Sequence, residues 1–444
     1  MNITAHRVTK VGPVGERDLK RDFPANFTYI AIPVAGIPIA VRWSFVLFIC
    51  TLPFESIELP GLTESVAKLS GLLFFAFYFL YYGPLSTKRS FPWPSRAMWW
   101  FLGYIVVAVL NGLFLDDEFM GDFLTHCFQL VQLAVFFWIA SDLLRDEKMA
   151  RDVLLAYSIA SGLVAVGNIL LLPGFYQTSG GRQLSPVTVN MGFAALITIG
   201  LCLYISYKHF LCKIVLVAFT LLMLVVMVST GTRSLVLGFM IGSSAYLFPY
   251  WRSKRTWIAI ISVILSVVVV LYITADNPEI SERWLKTYYE GDTSGRDEIY
   301  AIAGEMILEK PVLGWSVSGN YELGRREGGR FFSIARDTHN TFLALLLEVG
   351  LLGAIPFCVG LWLCGRSAWR ARQGNLGLLP LALFFGIMAG AMSGTLVWQK
   401  LLWLFLALIL AAVPIMPRKL GKQFPVLLRI KLGSDRKAAP TLVQ

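Results

Sequence analysis

Charge is scarce in this sequence: Asp, Glu, Lys and Arg supply 15% of 444 residues, where a soluble domain carries about 25%. So little polar surface cannot cover a water-soluble globule of this size. Also missing are the short segments of strictly alternating polarity that build a membrane β-barrel. Runs such as Ile214 to Val228 are continuously apolar instead, which leaves helices as the spanning element. Six cysteines (Cys50, Cys127, Cys202, Cys212, Cys358, Cys364) fall in or at the ends of apolar segments without metal-ligand spacing, so neither a disulfide framework nor a zinc site follows. No Asp-x-Asp is present to hold a metal through oxygen, and metal-independent chemistry without a cofactor is favoured. Met1 to Phe27 is mixed and basic and holds no short apolar region ending in a small-residue cleavage site; it is expected to be a retained cytoplasmic tail. No internal repeat of the transporter kind is visible.

What the chain has in abundance is apolar sequence, 56% of all residues. Stretches of about 18 residues or more, each enough to cross roughly 30 Å of hydrocarbon as a helix, recur from end to end. The expected fold is an all-α integral membrane protein, residues 1–444 forming one polytopic domain. Twelve transmembrane helices are expected near 38–55, 66–83, 97–115, 120–141, 153–172, 187–206, 213–229, 234–250, 256–274, 340–363, 376–395 and 399–416. Basic residues gather at every second connection (Lys88/Arg89/Arg96, Arg145/Lys148/Arg151, Lys208/Lys213, Arg252/Lys254/Arg255, Arg366/Arg370/Arg372), and a basic tail follows at 417–444. The intervening connections Glu55 to Glu64 and Asp116 to Glu118 lack Lys and Arg. This bias places both termini in the cytoplasm. It also accounts for the net charge of +11 without a nucleic-acid partner; membrane lipids are the expected surroundings. One connection stands apart, the long loop 275–338 between spans 9 and 10, placed outside by the same alternation. Within it Asp297 to Glu309 reads as a short helix with Ile299, Ile302, Met306 and Ile307 on one face, stopped by Lys310-Pro311. Val312 to Gly329, rich in Gly and Ser, reads as a mobile lid or cavity wall.

Charge at a membrane edge is costly, so each such residue is a candidate site. On the outer side these are Arg182 in Gly180-Gly181-Arg182-Gln183, Arg233 in Thr230-Gly231-Thr232-Arg233-Ser234, Arg296 in Ser294-Gly295-Arg296-Asp297, and His339 in Asp337-Thr338-His339-Asn340-Thr341. Three planar guanidinium forks on one face suit a diphosphate, and the helix start after Gly295 adds free N–H groups. His339 has the pKa range of a general base. Each has a plainer alternative. Arg296 pairs with Glu298 or Asp292 on a solvated loop, Arg233 snorkels to head groups, Arg182 is an ordinary loop arginine, and His339 is a capping or packing residue. Asp337 or Thr338 is the cap of the tenth helix if the ring is free.

The run Ser294-Gly295-Arg296-Asp297…Glu309-Lys310-Pro311-Val312-Leu313-Gly314-Trp315, then His339-Asn340-Thr341-Phe342-Leu343…Glu348-Val349-Gly350-Leu351-Leu352-Gly353, resembles the signature of the O-antigen ligase and O-antigen polymerase superfamily. Ser229 to Leu235 resembles its Thr-Arg-Ser turn. The resemblance implies a glycosyltransferase of the bacterial inner membrane with its site facing the periplasm. It would transfer a glycan from undecaprenyl diphosphate to a sugar hydroxyl of lipid A-core, without metal and with inversion. By position, His339 would be the base and Arg182, Arg233 and Arg296 would hold the diphosphate. The polymerase, which uses a second lipid-linked glycan as acceptor, is the runner-up. A lipid-linked glycan transporter is a third reading, disfavoured because the charges cluster at the outer edge instead of lining a path. The turn Met392 to Lys400 offers no acidic residue, so the acidic assistant that the resemblance leads one to expect from that turn in some relatives has no counterpart there.

Overall fold

The computed structural model describes residues 37–55, 65–82, 94–170, 178–179, 182–183, 188–204, 210–229, 233–247, 289, 295–328 and 335–413. Among these the chain is helical apart from a two-residue antiparallel pairing, β1 (Thr178–Ser179) with β2 (Arg182–Gln183). Apolar helices stand at eleven of the twelve expected spans: α1 (Ile39–Thr51), α2 (Val66–Tyr82), α3 (Arg96–Asn111), α4 (Met120–Leu143), α5 (Glu147–Ile169), α6 (Thr188–Tyr204), α7 (Phe210–Ser229), α8 (Arg233–Leu247), α11 (Thr341–Ala371), α12 (Leu379–Ala391) and α13 (Lys400–Ala411). The expected span 256–274 lies outside the described residues. Five of the apolar segments (Arg96–Phe114, Asp117–Leu143, Glu147–Ile169, Leu211–Ser229 and Thr341–Ala371) are long and apolar enough to cross a membrane; the other six are shorter.

Two boundaries depart furthest from the hydropathy reading, each for a local reason. Helix α5 begins six residues before the expected 153, because the Asp146 carboxylate accepts from Met149 N at 2.9 Å and caps it there. Helix α11 runs on past 363 to Ala371, so Arg366 and Arg370 lie on its last turns instead of in a loop. A helix end carries partial negative charge that such residues complement.

The interior is built from aromatic rings. Phe101 of α3, Phe137 of α4, Phe357 of α11 and Trp403 of α13 are fully buried, with ring centres 5.2 to 6.4 Å apart in edge-on arrangements. The donor of Trp403 is satisfied by Val397 O at 2.8 Å. Lipid tails are as apolar as these rings, so what holds the four helices together is close packing more than escape from water. Edge-on pairs add about 0.5–1.5 kcal/mol each beyond area burial.

The long connection holds two helices. Helix α9 (Arg296–Glu309) buries Ile299, Ala303 and Met306 against Leu347 of α11, with Ile302 and Ile307 partly buried beside them, as the apolar spacing predicts. Helix α10 (Ser318–Gly328) stands where the Gly and Ser content suggested a mobile lid or cavity wall. Arg326 forks onto Glu309 at 2.6 and 2.8 Å and reaches Glu322 at 2.7 Å, and Arg325 forks onto Glu322 at 2.6 and 2.7 Å. These guanidinium groups push the Glu322 carboxyl down to about 2. Because the folded value is depressed, the strap is at full strength above the ordinary carboxylate range and is lost only as pH falls toward 2.

Between α9 and α10 the chain clasps a broken helix. Gly350 interrupts α11 with φ 56° and ψ −165°, which frees backbone groups on both sides of the break. Leu347 O and Glu348 O accept from Trp315 N at 2.7 Å and Ser316 N at 2.8 Å, while Leu351 N and Leu352 N donate to Pro311 O at 2.9 Å and Val312 O at 3.0 Å. Irregular backbone at membrane depth is tolerated only where protein satisfies it, and here four hydrogen bonds do so. Two glycines permit the approach. A Cβ on Gly314 would lie 2.6 Å from Leu347 O, and one on Gly350 would lie 2.3 Å from Val312 O. The Asn111 amide at the end of α3 donates to Leu313 O and Glu348 O, both at 2.8 Å, and locks the clasp to the bundle.

Candidate functional site

His339 immediately precedes Asn340 and α11, and its backbone is left-handed, φ 51°. That conformation is uncommon for a residue with a Cβ and persists where surrounding contacts impose it. The contacts are those of Asp337. One carboxylate oxygen, Oδ1, accepts from His339 N at 3.1 Å and from Thr395 Oγ1 at 2.5 Å. The other, Oδ2, lies 3.5 Å from His339 Nδ1. This last distance is long for a formed hydrogen bond. His339 is about half exposed (49%).

Neither Asp337 nor Thr338 caps α11. The cap is Asn340, whose side-chain oxygen accepts from Phe342 N at 3.0 Å and Leu343 N at 3.3 Å. The imidazole is thereby relieved of the capping role that was its plainer alternative. Thr341 Oγ1 donates to Gly394 O at 2.7 Å and accepts from Leu396 N at 3.0 Å, so the turn between α12 and α13 is pinned to the start of α11. Lys400, which opens α13, pairs with Glu55 at the end of the first helical segment.

The arginines are positioned by backbone. Helices α8 and α12 run antiparallel in close contact: a Cβ on Gly242 would lie 2.9 Å from Ala382 O, and one on Gly238 would lie 3.8 Å from Gly390 N. Continuing that register brings Arg233, the first residue of α8, level with the turn that holds Thr395. The start of α6 lies at the same end, since Gly192 would meet Leu235 O at 3.7 Å. Arg182 sits in β2 just before α6, paired with Ser179. The side chains of Arg182 and Arg233 lie outside the described residues. Arg296 opens α9 behind Gly295, which is left-handed at φ 74°. It is half-buried and pairs with no carboxylate among the described residues, so its proposed pairing with Glu298 is not formed; Asp292 lies outside the described residues.

Side-chain geometry thus brings together His339, Asp337 and Thr395, and helix register brings Arg233 and the start of α6 to the same end of the bundle. Among the described residues no three His, Cys, Asp or Glu side chains gather as a metal site would require. Sequence reading missed Asp337 as the neighbour of the imidazole and Thr395 as the partner of Asp337. Asp337 had a visible signal, two positions before His339, but Thr395 is 58 residues away in sequence and carried none.

Residues 218–358, about a third of the chain, match the family model described as O-Antigen ligase. The match begins within α7, includes α8, α9 and α10, takes in His339 and ends just beyond the clasp at Gly350. It supports a function of the O-antigen ligase or polymerase type in a multi-pass membrane protein. No curated protein matches the chain.

Proposed function

We propose that this protein is an O-antigen ligase: a glycosyltransferase of the bacterial inner membrane that moves O-antigen polysaccharide from undecaprenyl diphosphate to a sugar hydroxyl of lipid A-core at the periplasmic face. The observation that carries the reading is the state of His339, which lies within the family match, is strained in backbone, is free of capping duty and stands beside Asp337. With a proton on Nδ1 facing Asp337, the Nε2 lone pair accepts the acceptor hydroxyl's proton. The hydroxyl oxygen attacks the anomeric carbon as the bond from that carbon to the diphosphate oxygen breaks, giving inversion. Undecaprenyl diphosphate leaves as an anion on Arg182, Arg233 and Arg296, with the N–H groups at the start of α9 adding positive potential. Asp337 supplies, from beside the histidine, the acid that the turn Met392 to Lys400 lacks. No step requires a metal.

Two results test this reading apart from the base itself. Lysine keeps the charge of arginine and loses its planar fork, so Arg233→Lys and Arg296→Lys will each raise the KM for donor by roughly 10-fold, the loss of one charge-assisted hydrogen bond, in a transfer assay. Unaltered donor kinetics in both variants sinks bidentate recognition. The site must also face the periplasm. A single cysteine in place of Glu305, an exposed position of α9, will react with an impermeant thiol reagent in intact spheroplasts, whereas one in place of the exposed Gln373 will not; the reverse pattern inverts the topology and removes the mechanism.

A further inference from the structure

Past its break at Gly350, α11 carries one exposed stripe along its length. At about 100° per residue, Leu351, Ile355, Trp362, Arg366 and Trp369 fall within roughly 60° of one another, and all five are exposed. The face that carries Phe357 and Gly360 packs on α3 instead, so the stripe turns away from the bundle toward lipid. From Leu351 to Trp362 it is apolar for roughly 16 Å, about half of a 30 Å hydrocarbon core and hence the depth of one leaflet. Indoles mark where that depth ends. Trp99 and Trp100 of α3 are exposed as well, and they stand level with Trp362, because a Cβ on Gly360 would lie 2.8 Å from the Phe101 ring of the antiparallel α3. Exposed tryptophans at one depth gather where hydrocarbon meets head groups.

Three arginines follow at that boundary. Arg366 lies over the Trp362 ring at 5.8 Å and Arg372 over the Trp369 ring at 4.0 Å, while Arg370 is exposed between them. Arg372 uses one donor on Trp369 O at 2.6 Å. None of the three pairs with a carboxylate among the described residues. Glu147 of α5, which reaches the turn after α11, is already taken by the Asn375 amide at 2.9 Å and by Arg151 at 3.7 Å. A guanidinium engaged through its face by an indole keeps its N–H edge for other partners, and that edge matches the oxygens of a phosphate. The helix dipole accounts for cations here and the membrane boundary for indoles; neither neutralises guanidinium groups left without an anion. We propose that this stripe binds an anionic phospholipid of the leaflet at the end of α11 away from His339. Its phosphate accepts from Arg366 and Arg370, Arg372 adds positive charge, and an acyl chain lies along Leu351 to Trp362. The head group sits roughly 40 Å along the helix from His339, so the site stands whether or not the chain transfers a glycan.

Native mass spectrometry of the full-length protein in detergent, titrated with phosphatidylglycerol or with phosphatidylcholine of the same chains, counts the lipid bound. Wild type will hold phosphatidylglycerol about 10-fold more tightly, and Arg366→Gln combined with Arg370→Gln will bring the two lipids to within about 2-fold, the scale set by two basic residues at a lipid surface. Arg366→Lys combined with Arg370→Lys keeps the charge and loses the planar fork, and it will lose most of the preference. Arg151→Gln is the control at the same end of the bundle: it removes a charge already paired with Glu147 and will leave the preference as it is. Because both substituted side chains of the site are exposed, the double variants will unfold in phosphatidylcholine at the wild-type temperature. Inorganic phosphate in excess will not displace the lipid, since it lacks the chain that lies on the stripe. An equal preference in wild type and the double glutamine variant overturns the site. So does an undiminished preference in the double lysine variant, which would reduce the arginines to diffuse positive charge, and so does displacement by inorganic phosphate.

Discussion

Replacing His339 by glutamine will lower glycan transfer by about 10² to 10⁴, the contribution of a positioned base, while donor binding and folding stay as they are. Glutamine matches the ring in size and in its ability to hydrogen-bond Asp337, and it has no basicity near neutral pH. The left-handed backbone at φ 51° persists in the variant because Asp337 and Thr395 impose it. Asp337→Asn will produce a smaller loss in kcat with the KM for donor unchanged, since it disturbs the ring's orientation without removing the base. Both are read by steady-state transfer at saturating acceptor. A glutamine variant that turns over like wild type returns His339 to the role of a packing residue, and with it the proposed chemistry goes.

The second large effect is structural. Gly350→Ala will destabilise the protein by about 3 kcal/mol or more. The backbone there occupies a region open essentially to glycine alone, worth roughly 1–3 kcal/mol, and the added Cβ would lie 2.3 Å from Val312 O. Relieving that overlap means opening the clasp, whose hydrogen bonds contribute about 1 kcal/mol each. Thermal unfolding in detergent measures it, with Gly121→Ala as the control, since a Cβ there meets nothing within 4 Å. Equal unfolding temperatures for the two variants would show that the break in α11 is not held by the clasp.

Long apolar runs announced the helices, because a bilayer demands them and little else in a sequence looks the same. The break in α11 was silent. Glu348-Val349-Gly350-Leu351-Leu352 lies in a run that scans as one continuous helix despite its carboxylate and its glycine, and the interruption depends on Pro311 to Ser316 arriving from outside to satisfy four backbone groups. Several of these residues lie in the runs that carry the resemblance noted from the sequence, so part of what reads there as a motif for chemistry packs two backbones that must touch at Gly314 and Gly350. Helix α10 went unread because its glycines masked a real cue: Glu322 with Arg325 and Arg326 at i+3 and i+4 is a helix-stabilising pattern. At the site, His339 was legible as a rare titratable group at a helix entrance. Its environment was not, because the approach of Asp337 follows from a left-handed residue and from a turn 58 positions on.

The central claim is tested most directly by reconstitution. Purified protein is given lipid-linked O-antigen donor and lipid A-core acceptor in the presence of a chelator, and the products are separated by mass and by anomeric configuration. The account predicts glycan joined to lipid A-core with inverted configuration at an undiminished rate. A lengthened lipid-linked glycan as the sole product, retention of configuration, or activity lost to the chelator would contradict it.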